Sequence, residues 1–229
     1  MIVLLIISLI LLVVGIILFT LTDSSDINTD TNTCNNLFFV HIPKTGGTTI
    51  EDSICKRDQI YSSPKRIKKM FGYKGIKESR THLLLEEQRK LSKNGLKDAI
   101  TFSVIRNPYE RFVSEANMRK NSFDKQIKVC EKSSRYKDFN MFAHCRPQVD
   151  YVGKNGELVD HIFLTENIDT DVKDFIKSYG YDLINKRRRK ANRKTKLTVD
   201  DLKDRHKKWI ANKYPDDIIL YNKMTETKK

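Results

Sequence analysis

The stretch FFVHIPKTGGTTIE, residues 38–51, decides how the rest of the chain is read. The apolar run LFFVHI at 37–42, with its aromatic and β-branched residues, predicts a buried strand that Pro43 stops. Gly46 and Gly47 predict a tight turn whose successive N–H groups can face an anion. The following TTIEDSICK predicts a helix, and its N-terminal end adds a positive dipole to the same place. Thr48 and Thr49 add hydroxyl donors. The whole has the form of a phosphate cradle. A nucleoside-triphosphate loop of the G-x-x-x-x-G-K-[ST] type carries its lysine after the last glycine. Lys44 comes before the glycines, at the strand end, so this loop is of another kind.

Outward from this unit the pattern repeats. AITFSVI at 99–105 predicts a second buried strand, cut off by the polar turn RNPYERF, with a helix over 109–120 and Pro108 in its first turn. HIFLTENI at 161–168 predicts a third strand, and TDVKDFIKSYG at 170–180 a helix behind it. Between the first two strands, PKRIKKMFG (64–72) predicts a short basic helix, and SRTHLLLEEQRKLSKNG (79–95) a longer one capped by Thr81. Two C-terminal helices complete the chain, the first capped by Thr198. Strands alternating with helices imply an α/β fold with a parallel sheet covered on both faces. Ligands of such sheets sit beyond the carboxyl ends of the strands, so the loops 43–48 and 106–108 are candidate site elements.

The flanks limit where the chain works. Ile2–Leu21 is an apolar run without charge or proline, and about 20 such residues span a bilayer core. A cleaved signal peptide is the alternative, but its apolar region is shorter and preceded by positive charge. We read residues 1–21 as a single-pass anchor, 22–35 as a polar stem and 36–229 as one domain on the lumenal or external side. The chain carries 43 Lys and Arg against 29 Asp and Glu, a net charge of +14. That excess suits nucleic acid or an anionic substrate, and the anchor argues against nucleic acid. Cys34, Cys55, Cys130 and Cys145 have no zinc-like spacing. In an oxidising lumen they allow two disulfides. The strand and helix around the glycines run in opposite directions and return Cys55 towards Cys34. Cys130 and Cys145 then pair by elimination; four free thiols are the alternative.

The loop resembles the 5′-phosphosulfate loop of the sulfotransferases that use 3′-phosphoadenosine 5′-phosphosulfate (PAPS), particularly the Golgi membrane-bound carbohydrate enzymes. TFSVIRNPYERFVSEANM at 101–118 is similar to that family's 3′-phosphate motif. RPQVDYVGKNGELVDHIFLTENI (146–168) and the C-terminal LTVDDLKDRHKKWIANKYPDDIILYNKM resemble its later segments. The resemblance implies a P-loop-like sulfotransferase fold, PAPS as co-substrate without a metal, and a glycan acceptor. It assigns Lys44, Thr45, Gly46, Gly47, Thr48 and Thr49 to the 5′ end of the nucleotide, and Arg106 and Ser114 to its 3′-phosphate. Lys44 would stabilise charge on the departing oxygen.

The base that receives the acceptor proton is open. His82, in SRTHLLLEEQ, resembles a segment of the histidine-using branch related to heparan sulfate 2-O-sulfotransferase, and is the first choice. His144 lies ahead of CRPQ, and Glu51 and Glu78 stand in reserve. His41 reads as a core histidine close to Lys44. The basic run NKRRRKANRKTK (185–196) occupies the place of the family's nucleotide-covering loop, which implies cofactor contacts from Arg189, Lys190 and Arg193. Lys65, Arg66, Lys68 and Lys69 form a second basic group that would extend a track for an anionic acceptor.

Overall fold

A computed structural model describes residues 37–54, 70, 82–92, 96–134, 136–183 and 196–227. Its centre is a three-stranded parallel sheet in the order β1 (Leu37–Val40), β2 (Ile100–Ile105), β3 (His161–Leu164). Leu37 pairs with Ile100 and Phe102 with His161. Side chains alternate across a strand, so consecutive apolar residues serve opposite faces. Phe38 and Val40 pack on one face with Ile105, Leu164, Tyr151 and Leu220. Leu37 and Phe39 pack on the other with Phe102, Val104, Ile50, Val172 and Ile176. Both faces are covered, which is why the strands read as unbroken apolar runs.

Helix α1 (Gly47–Ser53) follows β1, and α2 (Leu85–Leu91) precedes β2. Helix α3 (Pro108–Arg119) starts straight after β2, with the Asn107 side chain accepting from the N–H of Tyr109 and Glu110. Helices α4 (Phe123–Lys132), α5 (Phe139–Cys145) and α6 (Val149–Val152) lead to β3. Helix α7 (Lys173–Ser178), α8 (Asp204–Lys213) and α9 (Pro215–Glu226) close the chain. A third apolar cluster joins α3, α4 and α8 through Phe112, Phe123 and Ile210.

Several expectations change at element ends. The first strand stops at Val40, two residues early. The third stops at Leu164 because the hydroxyl of Thr165 turns to the carbonyls of Ile105 and Thr45, at 3.0 and 3.1 Å. The chain then coils through a 3₁₀ turn and a π turn, 165–172, into α7. Thr198 caps no helix: its N–H and hydroxyl both donate to the Asp201 carboxylate in a preceding turn. Helix α8 starts later, where the N–H of Lys203 donates to His206 Nδ1. Helix α2 is shorter than expected, and Glu87 accepts from the N–H of Leu84 at its start.

Cys130 and Cys145 form a disulfide that joins α4 to α5. Among the described residues no helix is long and apolar enough to cross a membrane. The anchor (1–21), the stem, Cys34, Cys55, Thr81 and the basic group at 65–69 lie outside the described residues.

Candidate active site

The loop after β1 turns on two left-handed residues, Lys44 at φ 73° and Gly46 at φ 90°. This region suits glycine, but a lysine held there is strained by roughly 1–2 kcal/mol. Between them Thr45 is fully buried, and its hydroxyl donates to the carbonyl of Ile42 at 2.9 Å. The Thr45 side chain thus supports the turn from behind and does not itself line the cavity. Lys44, Gly46, Gly47, Thr48 and Thr49 do line it. No side chain caps the first turn of α1 and no acidic residue lies in that turn, while Glu51 on the next turn and Asp169 line the same cavity.

Gly47 has a packing reason as well. A Cβ there would lie 2.3 Å from the ring of His41. That ring is hemmed in, edge-on to His82 at 4.7 Å between centroids, with Nδ1 2.8 Å from Glu51 Oε1. The last pair is close enough for an ion pair but is not aligned as a hydrogen bond. Gly47→Ala must therefore move the ring or the loop. We expect a loss of about 1–3 kcal/mol in urea unfolding, the usual cost of overpacking.

Arg106 ends β2 beside this loop. Its N–H donates to Gln148 Oε1 at 2.9 Å, and Gln148 Nε2 donates back to the Arg106 carbonyl at 2.8 Å. The clamp is itself fixed, because Asp217 accepts from the N–H of Gln148 and Val149. From this backbone the guanidinium reaches Glu110 Oε2 at 3.1 Å and the Lys44 carbonyl at 3.4 Å. The two strand-end loops thus touch through one side chain. Ser114, two turns into α3, lines the same cavity of about 550 Å³ and a second, adjoining one of similar size. Lys196, the one described residue of the basic run, lines both. Arg189, Lys190 and Arg193 lie outside the described residues, as does Glu78.

Three histidines also line the cavity. His82 lies between His41 and His144, edge-on to the latter at 5.0 Å. Its Nδ1 is 3.3 Å from the His41 carbonyl; a carbonyl only accepts, so Nδ1 carries the hydrogen and Nε2 is left as a lone pair. Burial, and then the neighbouring His41 and His144, hold the ring well below the ordinary histidine pKa. Burial also lowers Lys44, while Glu115 works in the opposite direction.

Several residues of this region were not picked out by sequence. Arg111 is buried in α3 and donates to the carbonyls of Pro43, His144 and Arg146, at 3.0, 3.5 and 2.9 Å. Tyr151, fully buried and pushed up to about 12 by desolvation, donates to the carbonyls of His82 and Ala143. Glu115 is a buried carboxylate against His144. In the sequence Arg111 and Glu115 carry no local mark that separates them from the surface charges of α3; their burial comes from distant partners. Among the described residues no group of three or more His, Cys, Asp or Glu is placed to hold a metal ion.

The family model described as "Sulfotransferase family" matches residues 28–223. No curated protein and no solved structure matches the chain. The match covers most of the chain, including both strand-end loops and every described residue of the cavity. The chain belongs to the sulfotransferase family, and its chemistry is sulfuryl transfer.

Proposed function

We propose that this cavity binds PAPS and passes its sulfuryl group to a hydroxyl of a carbohydrate. The observation that carries the reading is the contact between the two loops, Arg106 Nη1 on the Lys44 carbonyl, with Ser114 on the same cavity. PAPS has two anionic ends, and the fold provides two cationic ones. The backbone N–H groups and the threonines Thr48 and Thr49 take the 5′-phosphosulfate. The Arg106 fork and the Ser114 hydroxyl take the 3′-phosphate, a geometry that suits guanidinium.

Sulfuryl transfer, like phosphoryl transfer, needs in-line attack, with charge building on the leaving oxygen. Lys44 supplies positive charge at that point, and as a point charge on a flexible stem it can follow the moving charge. The acceptor enters where His41, His82, His144 and Glu51 line the cavity, and an imidazole there receives its proton. The net charge of +14 suits an acidic glycan. The apolar run Ile2–Leu21 makes the chain a type II single-pass membrane protein with its domain in a Golgi-like lumen, and the Cys130–Cys145 disulfide is in keeping with an oxidising compartment.

The test is transfer of labelled sulfate from PAPS, by the full chain in detergent, to desulfated glycosaminoglycan chains and to tyrosine peptides in parallel. Label on the glycan with release of PAP, the desulfated nucleotide product, is expected. Label on the peptides alone would replace the acceptor, and no label with intact PAP binding would refute the glycan assignment.

A further inference from the structure

Glu115 and His144 form a pair whose arrangement exceeds what a packing role needs. Glu115 neighbours Ser114 on α3 and is 3% exposed. Its Oε2 lies 2.7 Å from His144 Nδ1, and its other oxygen accepts from Arg119 Nε. An ionised carboxylate has only lone pairs to offer, so Nδ1 carries the hydrogen and the lone pair of His144 is on Nε2. The ring lines the cavity that Lys44, His82 and Ser114 share.

The segment carrying His144 is fixed at three successive carbonyls. Arg111 donates to His144 and Arg146, and the Tyr214 hydroxyl donates to Cys145 at 3.1 Å. Cys145 is also bonded to Cys130. A reacting group gains from such fixing, because little reorganisation remains at the moment of reaction.

His82 is differently placed. Its Nδ1 faces a backbone carbonyl, and His41, His144 and Arg111 all oppose a positive charge on its ring. His144 is faced by Arg119 and Arg111 and by burial, which lower it, but also by the Glu115 carboxylate, which raises it. Of the two rings, His144 has the charged partner that stabilises an imidazolium, whereas His82 has only the neutral carbonyl of His41 to favour one.

We infer that His144 and Glu115 act as a dyad, in which His144 Nε2 takes the proton of the acceptor hydroxyl and Glu115 orients the ring and stabilises the imidazolium. The inference rests on the reading of the cavity as a PAPS site. The acceptor oxygen forms its bond to sulfur as the bond from sulfur to the nucleotide oxygen breaks. The electron pair leaves with the 5′-phosphate beside Lys44, and the proton stays on His144 until it passes to water. Glu115 is then a positioning residue for both partners, since the same carboxylate favours the charged form of Lys44. His82 packs edge-on against His144 and holds its ring plane.

The experiment compares His144→Gln, His82→Gln, Glu115→Gln and Glu115→Asp in the full chain, with PAPS and desulfated glycosaminoglycan chains. PAP binding is measured by calorimetry in each variant. His144→Gln should lose about a hundredfold or more in kcat, the size of a general-base contribution, with the KM for PAPS within about twofold of wild type. Glu115→Gln should lose about tenfold, and Glu115→Asp should recover part of it. The acid limb of the rate, where activity falls as His144 takes a proton, should move to lower pH in Glu115→Gln, because the group raising His144 is gone. His82→Gln, which removes the ring packed against His144 and leaves the His144 proton acceptor in place, should lose about tenfold, less than His144→Gln. A larger kcat loss in His82→Gln than in His144→Gln would overturn the dyad and make His82 the base. An unmoved acid limb in Glu115→Gln would overturn the role of Glu115. Wild-type protein that binds no PAP would instead remove the cavity reading on which the dyad rests.

Discussion

Lys44→Gly should lose about a thousandfold in sulfate transfer while the fold keeps its stability to within about 1 kcal/mol. The two halves of this result have different causes. Activity falls because the positive charge beside the departing oxygen is gone, and one such group is worth about a hundred- to a thousandfold. Stability holds because Lys44 sits at φ 73°, where a side chain costs roughly 1–2 kcal/mol and glycine nothing. Against that relief stands roughly 0.5–1 kcal/mol of extra unfolded-state entropy for glycine. Urea unfolding and initial rates on the same preparation separate the two. The pH profile gives a further check on the charge. Burial lowers the Lys44 pKa below its ordinary 10.5, so the wild-type rate should fall, as pH rises through that lowered value, earlier than for an exposed lysine. The glycine variant should lack that limb.

Arg111→Met should cost about 3–5 kcal/mol in stability at neutral pH, enough to threaten a domain of ordinary stability. The guanidinium is buried, holds three carbonyls and lies 4.0 Å from Asp217. Methionine fills much of the volume, so the loss comes from polar groups left behind. Asp217 is 1% exposed, and burial raises its carboxyl above the ordinary value, while Arg111 and the N–H groups of Gln148 and Val149 oppose the rise. Without Arg111 the folded-state pKa rises further. A carboxyl raised on folding destabilises the fold increasingly as pH climbs from its unfolded value through its folded one. The deficit of Arg111→Met should therefore be largest at neutral pH and shrink towards pH 4. A deficit that does not change with pH would locate the loss in the three carbonyls and not in Asp217.

The sheet and its loops were legible because local chemistry dictates them. LFFVHIP and ITFSVIRNP each combine a buried strand with a proline stop, and no neighbour is needed to read them. Arg106 and Ser114 were assigned by the resemblance of their segment to the sulfotransferase motif, and with Lys44 they line one cavity. What failed depended on partners far along the chain. The third strand stops where Thr165 meets carbonyls 60 and 120 positions away. Glu115 and Arg111 look like surface charges of an exposed helix until α5 and α9 cover them. Helices α4 and α5 have no clear period in the sequence: lysines interrupt the few apolar residues of α4, and α5 is only seven residues long.

The central claim, that this cavity is built for PAPS, is tested most directly by melting. PAP, with ATP and AMP as controls, should raise the melting temperature of the wild-type chain, because a ligand that binds only the folded state stabilises it. Arg106→Ala should keep its fold and lose most of that shift. Equal shifts from PAP and AMP, or a PAP shift that survives Arg106→Ala, would contradict the account, because the 3′-phosphate would then have no site between Arg106 and Ser114.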